Sequence, residues 1–73
     1  MSKADNMLLE QGYKMTAIKG SQEGGVQLVY EEEFGESIIF RYNTKTLAIS
    51  VTYVSVAEWL AINEKMKELG WLE

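Results

Sequence analysis

The residues of this chain best suited to chemistry form an acidic cluster near its middle: Glu31, Glu32, Glu33 and Glu36. Carboxylates at a turn can bind Ca²⁺ or Mg²⁺, and two carboxyls held across a cleft can act as the acid and base of a glycosidase. The spacing matches no EF-hand loop, and consecutive strand residues point to opposite faces of a sheet. We favour a solvated hairpin tip, because blocks of like charge usually stay in water.

Two other patterns resemble binding motifs only superficially. Gly24 and Gly25 end the stretch KGSQEGG, which lacks the lysine placement of a phosphate-binding loop and therefore predicts a flexible turn. Tyrosines can stack on nucleic-acid bases, but the basic partners that RNA-binding sheets use are missing here. We expect the tyrosines to lie at the edge of the core with hydrated hydroxyls: Tyr13, Tyr30, Tyr42 and Tyr53.

The composition argues against several function classes. The 73 residues contain no histidine and no cysteine, which removes the commonest metal ligand, the usual neutral-pH acid–base group and any thiolate. The net charge of −4, with seven scattered basic residues, opposes binding to nucleic-acid phosphates. No apolar stretch approaches the ~20 residues of a membrane span, and the N-terminus has no signal-peptide pattern. We expect a cytoplasmic protein that is not an enzyme and has no cofactor, metal, nucleic-acid or membrane partner.

The residues from 54 to 71 predict a helix with clear start and stop signals. Ser55 and Glu58 form a capping box, and Gly70 is a left-handed stop after which Trp71 can fold back onto Met66. One stripe is apolar: Val56, Trp59, Ile62, Met66 and Leu69. Four charged residues are expected to face away from the core: Glu58, Glu64, Lys65 and Glu68. Asn63 lies beside the stripe, where it is expected to bond a loop backbone.

A first, weaker helix is predicted from Ser2 to Gly12. Ser2 can cap its start, and Asp5 lies in the positive first turn. Gly12 provides the same stop as in the last helix, and Tyr13 can pack back onto Leu8.

Between the helices the apolar period changes from 3.6 to 2, which predicts strands. A three-residue Glu33–Phe34–Gly35 loop, with Gly35 in the left-handed region, pairs Tyr30 with Ile38. A two-residue Thr44–Lys45 turn sets Tyr42 opposite Leu47. The sequence therefore predicts one α+β domain over residues 1–73, with an N-terminal helix, an antiparallel meander of three or four strands and a C-terminal helix. Both helices are expected on one face of the sheet.

The last strand is expected at an edge of this sheet, without the lysine, proline or bulge that usually protects edges. Three explanations stay open: a helix or loop covers it, it is central, or another chain pairs along residues 46–52. The last would give a homodimer or a partner strand. A small apolar patch is predicted on the face of the sheet that the helices leave uncovered. It consists of Ile18, Val29, Ile39 and Ala48. Ser50 and Thr52 are expected beside it.

Three segments resemble one family: KADNMLLEQGYK, ESIIFRYNTKTLAIS and VAEWLAINEKMKELGW. They are similar to the small uncharacterised proteins of phages and prophages of Gram-positive bacteria, including the YopT-type prophage proteins. The resemblance covers residues 3–71 and implies a prophage origin and an α–β-meander–α fold, but no functional residues. Trp59 departs from it, since a smaller or more polar residue is expected there.

Three functions follow as hypotheses. The first is a non-enzymatic phage or prophage accessory protein that binds another protein. The alternative is an acidic mimic of nucleic acid that occupies a host DNA-binding protein, which requires carboxylates spaced like phosphates. A small hydrolase is the third and least supported.

Overall fold

The computed structural model describes residues 2–21 and 25–72, apart from the side chains of Lys19 and Ser21. Two helices flank four strands in chain order: α1 (Lys3–Glu10), β1 (Lys14–Ser21), β2 (Gly25–Glu31), β3 (Ser37–Arg41), β4 (Thr46–Ser50) and α2 (Val56–Glu68). The strands form one antiparallel sheet in the order β1-β2-β3-β4. The prediction of an α+β fold with a sequential meander is confirmed.

Both helices cover the same face of the sheet. Alternate residues of a strand share one face, and four residues of β2 and β3 that point to this side are buried against α1 and α2: Leu28, Tyr30, Ile38 and Phe40. The core consists of Leu8, Tyr13, Leu28, Tyr30, Ile38, Phe40, Ala61 and Ile62. Neither α1 nor α2 lies on the opposite face of the sheet, which is called the open face below.

The helix ends follow the predicted signals. Ser2 Oγ accepts a hydrogen bond from the Asp5 N–H at 3.0 Å, and the two capping-box bonds between Ser55 and Glu58 are both present. Gly12 and Gly70 have positive φ angles of 91° and 80°. The next N–H reaches back across each stop, from Tyr13 to Leu8 and from Trp71 to Met66. These are the bonds of a Schellman motif.

The buried face of α2 differs from the predicted stripe. Ala61, Ile62 and Lys65 are buried, whereas Val56 is 76% exposed and Trp59 50% exposed. The stripe is therefore rotated toward Lys65, which was expected to face away. The reason is tertiary: Lys65 meets acidic and aromatic partners below α2, so its charge can be buried. Asn63 also departs from expectation, because its side-chain N–H donates to Trp59 C=O in its own helix, at 2.9 Å.

The β2–β3 hairpin has the predicted register. Tyr30 pairs with Ile38 and Leu28 with Phe40. Gly35 has a φ of 90°, and its N–H donates to Glu32 C=O at 3.2 Å. A left-handed residue closes this three-residue loop, as the pattern indicated.

The β3–β4 hairpin is longer than predicted by two residues. Phe40, rather than Tyr42, pairs with Leu47, and the loop runs over residues 42–45. A two-residue turn of the favoured hairpin type needs positive φ at both positions, which the β-branched Thr44 resists. In the observed loop only Lys45 takes a positive φ, of 52°. The slip by two residues keeps every side chain on its predicted face.

A β-bulge in β1 overturns the predicted position of Ile18. The register shifts between Met15 and Ala17, so that Ala17 pairs with Val29 and Ile18 with Leu28. Directly paired residues share a face, so Ile18 lies on the helix side of the sheet, where it is 67% exposed. Ala17 takes its place on the open face. β1 also extends to Ser21 and β2 begins at Gly25, so most of the predicted 19–25 turn is strand; residues 22–24, including Gly24, lie outside the described residues.

Gly35→Val should destabilise the domain by about 1–3 kcal/mol, because a β-branched residue resists the left-handed region. Gly35→Asn should cost markedly less, since asparagine tolerates that region. A Cβ at position 35 meets no atom within 4 Å, so the difference isolates the backbone effect. Thermal melts of both variants check it, and equal losses would show that the φ angle is not the cause.

Candidate functional site

The acidic hairpin uses most of its carboxylates internally. Glu32 accepts a hydrogen bond from the Glu36 N–H at 2.8 Å, and Glu36 accepts one from the Thr52 N–H at 3.0 Å. Glu31 accepts one from the Thr16 hydroxyl, and only Glu33 is a plainly solvated tip residue. Among the described residues, no group of three or more acidic side chains is arranged to hold a metal ion. The cluster orders the hairpin and the segment after β4.

Two tyrosine hydroxyls are bonded to carboxylates rather than hydrated as expected. Tyr13 donates to Glu58 at 3.1 Å, and Tyr30 donates to Asp5 at 2.7 Å. Both side chains are buried, which raises the pKa of each phenol, and the neighbouring carboxylates raise it further. Tyr42 is partly exposed beside Trp71. Tyr53 is 84% exposed after the end of β4, so the prediction that it lies at the edge of the core is wrong.

A buried ionic network ties α1, β2 and α2 together, and sequence reasoning missed it. The Lys65 side chain is 4% exposed and its Nζ lies 3.1 Å from Asp5 Oδ1. The same ammonium contacts Glu68 and lies 5.8 Å from the centre of the Tyr30 ring. Asp5 thus accepts from both Lys65 and Tyr30. The Asp5 carboxylate of α1 therefore bonds to both β2 and α2, and the network connects these three elements.

The charges of this network are mutually stabilised. Burial alone would raise the pKa of Asp5, but the hydrogen bonds from Tyr30 and Lys65 outweigh it and hold that pKa below its usual value. Burial would lower the pKa of Lys65, but its hydrogen bonds to Glu68, Tyr30 and Asp5 raise it above the ordinary value. Lys65 therefore stays protonated and is unsuited to act as a nucleophile or base. Its role is to hold the helices on the sheet.

The free edge of β4 is the best candidate for an interaction site. The Tyr42 N–H donates to Val26 C=O, and the Glu32 N–H to Glu36 C=O. Because hydrogen-bonded pairs alternate along an antiparallel ladder, the backbone groups of positions 38 and 40 point to β2, and those of 37, 39 and 41 point to β4. Their partners on β4 are Ser50, Ala48 and Thr46.

The remaining residues of β4, Leu47 and Ile49, therefore direct their N–H and C=O groups away from the sheet. Ile49 is partly exposed, and no loop or turn backbone among the described residues bonds to either group. Two of the explanations left open by the sequence are therefore narrowed. β4 is an edge strand and not a central one, and neither helix pairs with it. It ends at Ser50, two residues before the predicted limit at Thr52.

The open face carries a narrow apolar row beside this edge. Ala17, Val29, Ile39 and Ala48 are paired in sequence across the four strands. Val29 is buried and the other three are half-buried, so the row is smaller than the predicted patch. Ser50 is exposed on the same face, whereas Thr52 lies beyond the strand and donates its N–H to Glu36. The structure brings Val29, Ile39, Ala48 and Ser50 together and leaves out Ile18.

The outer surface of α2 is also apolar. Val56, Trp59 and Leu60 are exposed and, at spacings of three and four residues, lie next to one another on the helix. This surface contains the tryptophan that departs from the family resemblance.

Comparison with protein-family models, curated proteins and solved structures gives no match. The resemblance to small prophage proteins therefore stays a prediction. Within the part of the chain that the structure describes, neither helix has the length and apolarity needed to cross a membrane.

Proposed function

We propose that this chain is a non-enzymatic, cytoplasmic module that binds another protein by adding a strand to β4. The observation that carries the proposal is the pair of outward-facing residues Leu47 and Ile49, whose backbone groups offer two donors and two acceptors to an incoming strand. Strand addition derives its affinity from such main-chain bonds. A phage or prophage accessory role, as the resemblance implies, is part of the same proposal.

The two edges of the sheet support the choice of β4. β1 has a bulge between Met15 and Ala17 and an exposed Lys14, which are two of the devices that discourage edge pairing. β4 has the sequence TLAIS, with no charge, proline or glycine, and its pairing with β3 is regular. An unprotected edge at one side of a sheet whose other edge is protected is expected where pairing along the first edge is functional.

Mimicry of nucleic acid has less support from the geometry. A mimic needs free carboxylates in a line, whereas Glu32 and Glu36 accept backbone hydrogen bonds within or next to the hairpin. Glu31 is likewise bonded to Thr16. Binding through mimicry would weaken steeply as salt rises, whereas binding through backbone hydrogen bonds would not.

Ile49→Pro should abolish strand addition while keeping the fold. The Ile49 N–H faces away from β3, so proline removes an outward donor without breaking a bond of the sheet, as edge prolines do. Ile49→Val is the matched control, because it keeps the N–H and a β-branched side chain. Wild type, Ile49→Val and Ile49→Pro are immobilised and exposed to a lysate of a Gram-positive bacterium. A protein retained by the first two and lost by the third is the expected result.

Amide hydrogen exchange in that complex gives a second readout. Leu47 and Ile49 should become protected, since their N–H groups would then be bonded to the added strand. Equal capture by all three proteins would contradict the proposal. So would the absence of any captured protein together with a wild-type chain that does not associate with itself.

A further inference from the structure

The residue pattern of β4 is the same in both directions. Thr46 and Ser50 are hydroxyl residues at its ends, Leu47 and Ile49 are aliphatic, and Ala48 is at the centre. Thr46, Ala48 and Ser50 point to the open face, and Leu47 and Ile49 to the helix side. A strand with this symmetry is complementary to a second copy of itself running antiparallel.

We propose that the strand added to β4 is β4 of a second copy of this chain, paired about a two-fold axis at Ala48. This inference rests on the proposed function and names its partner. Ala48 then faces Ala48 of the second copy, Leu47 faces Ile49 of the second copy, and Thr46 faces Ser50 of the second copy. A contact of this kind, made by the same patch on both chains, is the commonest in homo-oligomers.

The backbone groups match in this register. The N–H of Leu47 donates to the C=O of Ile49 of the second copy, and its C=O accepts from the N–H of the same residue. By symmetry Ile49 makes the equivalent pair with Leu47 of the second copy. Every outward group of β4 is thus satisfied, which a shift of the register by one residue would not achieve, because the outward groups would then face residues bonded to β3.

The side chains match on both faces as well. Leu47 and Ile49 of the second copy are aliphatic neighbours on the helix side, continuous with the core to which Leu47 already belongs. On the open face the small Ala48 side chains meet at the axis, where directly opposed residues of a non-hydrogen-bonded pair come closest. The apolar row from Ala17 to Ala48 then continues into the equivalent row of the second copy.

Charge complementarity supports the same arrangement. Lys45 precedes β4, and antiparallel pairing brings it to the far end of β4 in the second copy. At that end the Glu36 carboxylate accepts from the Thr52 N–H, 3.0 Å away. A lysine therefore approaches a carboxylate at each end of the interface. Like charges do not meet, because β4 itself carries none.

Opposite charges placed at the axis test this pairing. In a dimer of Ala48→Lys two lysines face each other across the axis, and in a dimer of Ala48→Glu two glutamates do, so each dimer is destabilised by like charges. In a dimer formed by one chain of each variant, a lysine faces a glutamate. Ala48 is half-buried on the open face, so either side chain can extend into water in the monomer. Asn6→Lys, exposed on α1, is the control that changes the net charge in the same way as Ala48→Lys.

The measurement is the molar mass by light scattering over a wide dilution range. Wild type and Asn6→Lys should rise from the mass of one chain toward that of two as concentration increases. Each Ala48 variant alone should keep the mass of one chain, and an equimolar mixture of the two should recover the mass of two. Ile49→Pro should also stay at one chain, which provides a second variant where an Ala48 change disturbs folding.

A wild-type mass of one chain throughout, or a mixture that does not associate, would overturn the second copy as the partner. Capture of a different protein that is still lost in Ile49→Pro would then leave the proposed function standing. A dimer that all these variants retain would place the interface elsewhere and overturn the pairing through β4. Capture that Ile49→Pro leaves unchanged would overturn the proposed function as well.

Discussion

Asp5→Ala should lower the free energy of unfolding by about 3 kcal/mol, since it leaves the buried Lys65 ammonium with Glu68 as its remaining acidic partner and removes the acceptor of the Tyr30 hydroxyl. The Asp5 carboxylate is 3.1 Å from Lys65 Nζ, whose side chain is only 4% exposed. It also accepts the hydroxyl of the buried Tyr30. A domain of this size has only about 3–5 kcal/mol of stability from its core. Chemical denaturation should therefore find Asp5→Ala largely unfolded or close to it.

Two controls separate the buried network from ordinary surface charge. Lys3 and Glu64 also join α1 to α2, at 3.7 Å, but the Lys3 side chain is 77% exposed. Lys3→Ala should therefore cost less than about 1 kcal/mol. Asp5→Asn keeps an oxygen for the Tyr30 hydroxyl and should fall between wild type and Asp5→Ala. If Asp5→Ala and Lys3→Ala had equal effects, the network would not hold the helices on the sheet.

The effect of Asp5 should depend on pH in a defined direction. Its folded pKa lies below the ordinary value, so its contribution is present above about pH 4 and is lost as the pH falls through the folded pKa. The folded pKa of Lys65 is raised, so its contribution is complete below about pH 10 and is lost as the pH rises further. The difference in stability between wild type and Asp5→Asn should thus be largest between these limits and shrink in acid.

Trp71→Ala should cost about 2–4 kcal/mol, close to the loss expected for a large aromatic side chain packed on a core. Trp71 lies after the end of α2 but packs against the core, with its ring centre 6.2 Å from that of Phe40. Its ring also meets Tyr42 edge-on at 6.1 Å. Thermal melts should show a large drop in the midpoint.

Trp59→Ala is the matched control for that substitution. It removes the same side chain from α2, but Trp59 is half exposed and belongs to the outer surface of the helix. It should cost about 1 kcal/mol or less, as surface substitutions usually do. A loss at Trp59 as large as at Trp71 would show that the two tryptophans contribute alike and that the stop motif is not specially packed.

The sequence by itself determined the ends of the helices and the face of most strand residues. Capping and stop signals depend on bonds between residues two to five positions apart, as between Ser55 and Glu58 or Trp71 and Met66. The inward face of β2 and β3 follows from strict alternation, which survives any slip by an even number of residues. For that reason Leu47 was placed on the correct face although its partner was wrong.

The tertiary structure alone decided the features that depend on distant residues. The bulge that moves Ile18 to the helix side does not disturb the local apolar pattern, so alternation could not reveal it. The burial of Lys65 required Asp5, which lies sixty positions away in the chain, and a periodicity analysis treats every lysine as a surface residue. The outward direction of the Leu47 and Ile49 backbone groups followed only from how β2 and β3 bond to each other. All three features depend on which segments meet in space. The free energy of a buried charge, a bulge or an unpaired strand edge is determined by the residues that it contacts, and these are distant in the sequence.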